Sequence, residues 1–179
     1  MKLPRTLKRI ATAAAATLFL SVLAPAGASA DDLSVADLNL RTPFECGQVW
    51  NANTRTNHNP LLSVDFQRSD AQGQSVLSSA SGTVTTVADL GNESYGRYIV
   101  IDHGDGVSTL YAHLQTQSVA VGDSVSTGTA IGTVGSTGGS TGPHLHYEQR
   151  VGGTVVEVVL NGVEVYYYGN TTITSSTGC

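Results

Sequence analysis

From Ser75 onward the chain is filled with Val, Thr, Ile and Tyr and punctuated by glycine, and no stretch after residue 30 carries a helical apolar period of useful length. β-Branched and aromatic side chains suit a pleated, half-buried surface, and glycine supplies the turns between such segments. The pattern therefore restricts the chain to an all-β fold, a mostly antiparallel sheet or barrel-like sandwich. Strands are expected over Gly82–Val87, Tyr98–Asp102, Ser108–His113, Ala130–Val134, His144–Arg150, Val155–Leu160 and Val163–Tyr168. Asn161-Gly162, between the last two, is a strong hairpin-turn signal because both residues tolerate positive φ.

Within this β region, Val119 to Gly135 has a Val-x-x-Gly-Asp-x-Val-x-x-Gly rhythm that alternates inward apolar residues with glycine turns. Biotinyl and lipoyl carrier domains share that rhythm, but they need a lysine to modify. No lysine occurs after Lys8, which excludes the carrier reading.

The N-terminus reads differently. Lys2, Arg5, Lys8 and Arg9 precede an apolar stretch from Ile10 to Leu23, and Ala28-Ser29-Ala30 offers small residues at a cleavage position. Residues 1–30 are expected to be a signal peptide, 31–44 a short, loosely ordered polar lead-in, and 45–179 a single domain. A retained anchor is the rival reading, although the apolar run is short for a membrane span. No cysteine follows the expected cut, so a lipid-anchored form is not expected. The chain is expected to be exported, as a secreted, extracellular or wall-associated protein.

After residue 30, five arginines (Arg41, Arg55, Arg68, Arg97, Arg150) stand against all fourteen acids, a formal charge of −9. Such a chain has no basic footprint for nucleic acid and no polybasic patch for anionic lipid. Neither nucleic acid nor, once the signal is removed, a membrane is an expected partner, and the domain is expected to be a monomer. Cys46 and Cys179 lie near the two ends of the domain. An even pair in an exported chain reads as a disulfide, worth roughly 2–5 kcal/mol. A Cys/Cys metal site would need the close spacing that this pair lacks.

Five histidines occur, at 58, 103, 113, 144 and 146. His144-Leu145-His146 falls on an expected strand, where residues two apart share a face about 6.5–7 Å apart, with Leu145 and Tyr147 turned the other way. Two imidazoles so placed suit a site where one binds a metal and the other addresses the metal's water. Tyr111-Ala112-His113 repeats the spacing, which puts Tyr111 and His113 on a common face. Upstream, His58 and Asp65 flank a loop containing Asn59-Pro60. Two histidines and a carboxylate form a recurrent zinc set with a position left open for water, the chemistry amide hydrolysis needs at neutral pH. A Ser/His/Asp hydrolase is the competitor, but the Gly-x-Ser-x-Gly elbow is missing.

Tyr111-Ala-His-Leu114 together with Gly135-Ser-Thr-Gly138 and Ser140-Thr-Gly-Pro-His-Leu-His-Tyr-Glu148 resembles the lysostaphin-type (LytM-like) peptidoglycan zinc endopeptidases. Ile101-Asp-His-Gly104 also matches the strand that precedes Tyr-x-His-Leu in that family. The resemblance covers roughly Asn57 to Glu148. It implies one Zn2+ per chain held by His58, Asp65 and His146. His113 and His144 are then the pair that activates water and stabilises the oxyanion of the tetrahedral intermediate. The commoner family pattern places the first histidine four residues before the aspartate, where this chain has Leu61. His58 lies seven before, and Asn57 or Asn59 is the alternative oxygen donor. His103 is expected to hold a turn near Asp102 or Asp105 rather than take part in chemistry.

The activity so implied is that of a secreted zinc metalloendopeptidase hydrolysing peptide bonds, cross-links or cross-bridges, of bacterial peptidoglycan. The alternatives are a non-catalytic wall-binding or amidase-activating module of the same fold, and a general secreted protease with the same chemistry.

Overall fold

The computed structural model describes residues 39–179. The expected signal peptide and most of the expected lead-in lie outside the described residues. Fourteen strands occur in this region, and every strand pairing is antiparallel. They are β1 (Val49–Asn53), β2 (Val64–Gln67), β3 (Ser75–Leu77), β4 (Gly82–Asp89), β5 (Arg97–Gly104), β6 (Val107–Ala112), β7 (Leu114–Gln117), β8 (Ser124–Val125), β9 (Ala130–Val134), β10 (Leu145–Val151), β11 (Thr154–Val156), β12 (Val159–Leu160), β13 (Val163–Glu164) and β14 (Asn170–Thr174). The described region contains no helix, as the all-β reading requires.

The main sheet runs β14-β1-β2-β10-β6-β5-β4-β8, with β11 on the far part of β10, and a three-stranded sheet β3-β9-β7 packs with it. Side chains alternate across a pleated strand, so each strand of the main sheet shows one side to the core. Phe66 on β2, Tyr147 on β10 and Tyr111 on β6 form an aromatic row on that side, with ring centroids 5.8 and 5.4 Å apart. Phe44 stacks on Trp50 at 3.7 Å and meets Phe66 edge-on at 5.2 Å. These rings are all fully buried. Their intervening neighbours, Asp65 and His146, are thereby forced onto the opposite face, and the register sets them directly across from each other.

The two tyrosine hydroxyls reach the core without being orphaned. Tyr111 Oη accepts from Ser79 N and Thr109 Oγ1 at 2.9 Å, and Tyr147 Oη donates to Ser79 Oγ at 3.0 Å. Unpaired, each would cost on the order of 1–3 kcal/mol.

The central strands expected from the sequence are present within a few residues at their ends. The strands β1, β2, β3, β7, β8 and β14 were not anticipated; all have five residues or fewer, and on the asparagine-rich β1 only Trp50 and Ala52 alternate inward. The expected strand Val155–Leu160 is two strands. β11 stays with β10, while β12 turns away, its Val159 held by both ends of the Gln149 amide. β12 pairs β13 across Asn161-Gly162, with φ of 54° and 73°, the hairpin the dipeptide signals. The expected Val163–Tyr168 strand stops at Glu164, since the carbonyl of Tyr166 accepts from Thr54 Oγ1 instead of from a ladder.

Leu40, Thr42 and Phe44, in the segment expected to be a loose lead-in, are buried: Leu40 and Phe44 join the apolar core, and the Thr42 hydroxyl accepts from Asn161 Nδ2 at 2.7 Å. Cys46 and Cys179 form the expected disulfide, closing the region across 133 residues of sequence.

Candidate metal and catalytic site

Asp65 is the centre of the site. Its Oδ1 lies 3.0 Å from His58 Nε2, 3.2 Å from His146 Nδ1 and 3.5 Å from His144 Nε2. Its Oδ2 accepts from the Arg55 guanidinium at 2.6 Å. Burial works to raise the pKa of Asp65, but the hydrogen bonds to His146 and His58 overcome it and hold the carboxyl well below the usual carboxylate range.

Each ligand-type imidazole has its second nitrogen occupied. His58 Nδ1 meets the Ser63 carbonyl at 3.0 Å, inside a loop closed by Ser63 Oγ donating to the Pro60 carbonyl. His146 Nε2 meets Glu148 at 3.0 Å. The nitrogens left facing Asp65 are His58 Nε2 and His146 Nδ1. With Asp65 they make a group of donor atoms all within 4.8 Å of one another. A tetrahedral zinc with bonds near 2.0–2.1 Å separates its ligand atoms by about 3.3 Å, so contacts of 3.0 and 3.2 Å fit such an ion after a small expansion.

His113 and His144 face this group from the other side, their rings 4.8 Å apart. Nδ1 of each meets a backbone carbonyl at 2.8 Å, Thr137 for His113 and Gly142 for His144. Each therefore donates Nδ1–H and keeps Nε2 as a free acceptor. Burial, then the nearby His144 and His146, push the His113 pKa down to about 4, so its imidazole is uncharged at neutral pH. His146 responds in the opposite direction. Burial opposes its charge, but the hydrogen bonds to Asp65 and Glu148 outweigh burial and raise its pKa.

The Tyr111/His113 expectation is corrected. β6 ends at Ala112, and His113 takes a left-handed φ of 60°, which turns its ring off the core face that Tyr111 keeps and toward the cleft. The loops that hold it there touch at Gly96 and Gly138, both at positive φ, where a Cβ on either would strike the other's backbone. That contact fixes Thr137, whose carbonyl receives His113 Nδ1–H and whose hydroxyl donates to Leu114 O.

His58, Asp65, His113, His144 and His146 thus all line one cleft, which Arg55, Asn57, Asn59, Tyr95 and Thr141 also border. His103 is elsewhere. It meets the Ser81 carbonyl and Thr109 Oγ1 rather than a turn at Asp102 or Asp105, and burial lowers its pKa. Neither Asn57 nor Asn59 takes the place of His58 against Asp65, where the imidazole stands at 3.0 Å. Sequence reasoning did not single out Glu148, Arg55 or Tyr95. Glu148 was legible in principle, since it follows His146 by two residues on the same strand face. The other two come from loops.

The profile of Peptidase family M23 matches residues 62–158. The chain belongs to this family. The DD-carboxypeptidase/endopeptidase Mpg of Neisseria meningitidis serogroup B is 51% identical over 102 residues, 57% of this chain and 23% of that protein. The peptidoglycan DD-endopeptidase ShyA of Vibrio cholerae is 43% identical over 88 residues, 49% of this chain and 20% of that protein. The match therefore spans less than a quarter of either relative's length. Among solved structures, a zinc-containing peptidase from Vibrio cholerae superposes with a TM-score of 0.54 at 28% identity, over 68% of this chain and 40% of that one. The matched residues 62–158 include Asp65, His113, His144 and His146 but not His58.

Proposed function

We propose that this M23 family member is an exported zinc metalloendopeptidase that hydrolyses peptide bonds in bacterial peptidoglycan. The observation that carries the reading is the convergence of His58 Nε2, Asp65 Oδ1 and His146 Nδ1 on one point, with two further imidazoles facing it. His58, Asp65 and His146 would hold the ion. Zinc, when bound, lowers the pKa of a water and polarises a carbonyl.

The chain's own groups do the rest. Asp65 supplies charge to the ion's site, and Arg55 holds its second oxygen, fixing which oxygen faces inward. His113, uncharged near neutral pH, offers Nε2 as a proton acceptor, and His144 offers a second Nε2 beside Asp65. Between them the pair takes one proton as the amide is attacked and returns one to the departing amine nitrogen. Their Nδ1–H bonds to fixed carbonyls hold both rings in the required tautomer. A peptidoglycan substrate is supported by the named activity of ShyA, and the export signal expected in residues 1–30 would suit a wall substrate.

The test is lysis of purified cell walls. A strong chelator should abolish it, added zinc should restore it, and serine-protease inhibitors should leave it intact. His58→Ala and His146→Ala should fold yet lose both zinc and lysis. His144→Ala should keep zinc and lose activity by roughly a hundredfold or more, and His103→Ala should keep its zinc. Lysis that survives verified removal of metal overturns the mechanism, and full zinc occupancy in His58→Ala overturns the ligand set.

A further inference from the structure

Glu148 is a fully buried carboxylate that the chemistry above does not use. It sits two residues beyond His146 on β10, on the face that carries Asp65. Three donors meet it. His146 Nε2 lies 3.0 Å from Oε1, Tyr95 Oη donates to the same oxygen at 2.7 Å, and Arg150 donates to Oε2 through Nε at 2.7 Å and Nη2 at 2.6 Å. A buried carboxylate without partners is costly, so such complete satisfaction marks a built arrangement rather than an incidental contact.

Its position determines what His146 can offer. An imidazole has two nitrogens, and a metal takes only the one with a free lone pair. An acceptor on Nε2 keeps the proton there and leaves Nδ1 bare, and Nδ1 is the atom 3.2 Å from Asp65. The tilted ring of Tyr95, with its centroid 5.5 Å from that of His146, packs beside the same imidazole, so orientation and tautomer are set together.

We infer that Glu148, clamped by Arg150 and Tyr95, is the positioning residue of the metal site: it holds His146 in the tautomer and orientation that present Nδ1 to the ion. This rests on the proposed metal site but not on the identity of the substrate. Outer carboxylates of this kind typically contribute about 10–100-fold to metal affinity.

The experiment measures the zinc dissociation constant by chelator competition, on the parent protein first and then on Glu148→Gln and Glu148→Ala. Circular dichroism and urea unfolding in chelator monitor the fold. Nitrogen-15 NMR of the zinc-loaded parent reads which nitrogen of His146 carries the proton. The parent should show Nε2–H. Glu148→Gln, which keeps the shape and one acceptor oxygen but loses the charge, should bind zinc about tenfold more weakly, and Glu148→Ala up to about a hundredfold. If Glu148→Ala does not fold, Glu148→Gln and the tautomer decide alone. Zinc affinity of Glu148→Gln within twofold of a zinc-binding parent, or an Nδ1–H tautomer in the parent, overturns this inference and leaves the proposed function standing. A parent that binds no zinc overturns both.

Discussion

The left-handed backbone of His113 can be tested by two substitutions that differ only at one atom. An L-residue in that region costs roughly 1–2 kcal/mol relative to the ordinary right-handed or extended backbone, and glycine does not incur it. At ordinary positions glycine is instead less stable than alanine by about 0.5–1 kcal/mol, from its greater freedom when unfolded. His113→Gly and His113→Ala both lose the same imidazole, the same burial and the same 2.8 Å bond to Thr137, so these losses cancel between them. What remains is the backbone cost less the glycine entropy, which leaves His113→Gly more stable by about 0.5–1 kcal/mol. On a regular strand the sign would reverse. The assay is urea unfolding in the presence of chelator, followed by the fluorescence of the single tryptophan, Trp50, which is buried against Phe44. Both variants should lack lytic activity. Equal stability, or alanine above glycine, would refute the left-handed geometry and with it the explanation of how His113 leaves the core face.

Two further expectations follow from the site and its frame. Breaking the Cys46–Cys179 bond by Cys→Ser at both positions frees a loop of 133 residues, for which loop entropy gives about 5 kcal/mol, or a Tm lower by roughly 10–20 °C. Calorimetry should show that loss while zinc binding at permissive temperature is unchanged, since neither sulfur touches the cleft. The His113 imidazole, with its pKa pushed below the ordinary 6.5 to about 4, should titrate near 4 by NMR. A depressed histidine pKa means that the unfolded chain binds the proton first. The stability that neutral His113 contributes is therefore present above pH 6.5 and lost as pH falls from 6.5 through 4. A titration at 6.5 would show that the ring is solvated and not packed against His144.

Much of this arrangement is legible along the chain, for reasons that are local. Val, Thr and Ile between glycines mark β5, β6, β9 and β10, because strand composition and turn chemistry act over a few residues. Asn161-Gly162 predicts its hairpin because both φ values are properties of those two residues. His144 and His146 share a face because the pleat repeats every second residue. The same period predicts, wrongly, that Tyr111 and His113 share one, since it holds only while the strand continues and β6 stops at Ala112. β1 and β14 escaped notice because they are short strands rich in asparagine and threonine, with few apolar residues to show.

By itself the sequence determined the β class, from residue type and turn chemistry, and the disulfide partners, from an even cysteine pair. The set of five side chains proposed for the chemistry came from the resemblance to the lysostaphin-type endopeptidases. Only the tertiary structure decided which nitrogen of each imidazole is free. For His113 the acceptor is the distant Thr137 carbonyl, and for His144, His58 and His146 it is Gly142, Ser63 and Glu148, near in sequence but brought to the ring only by the conformation of the folded loop or strand. It also decided that Arg55 would hold Asp65 and that Gly96 would meet Gly138. Pairings between loops carry no periodicity to read, because they arise from how strands stack and not from the order of residues along any one of them.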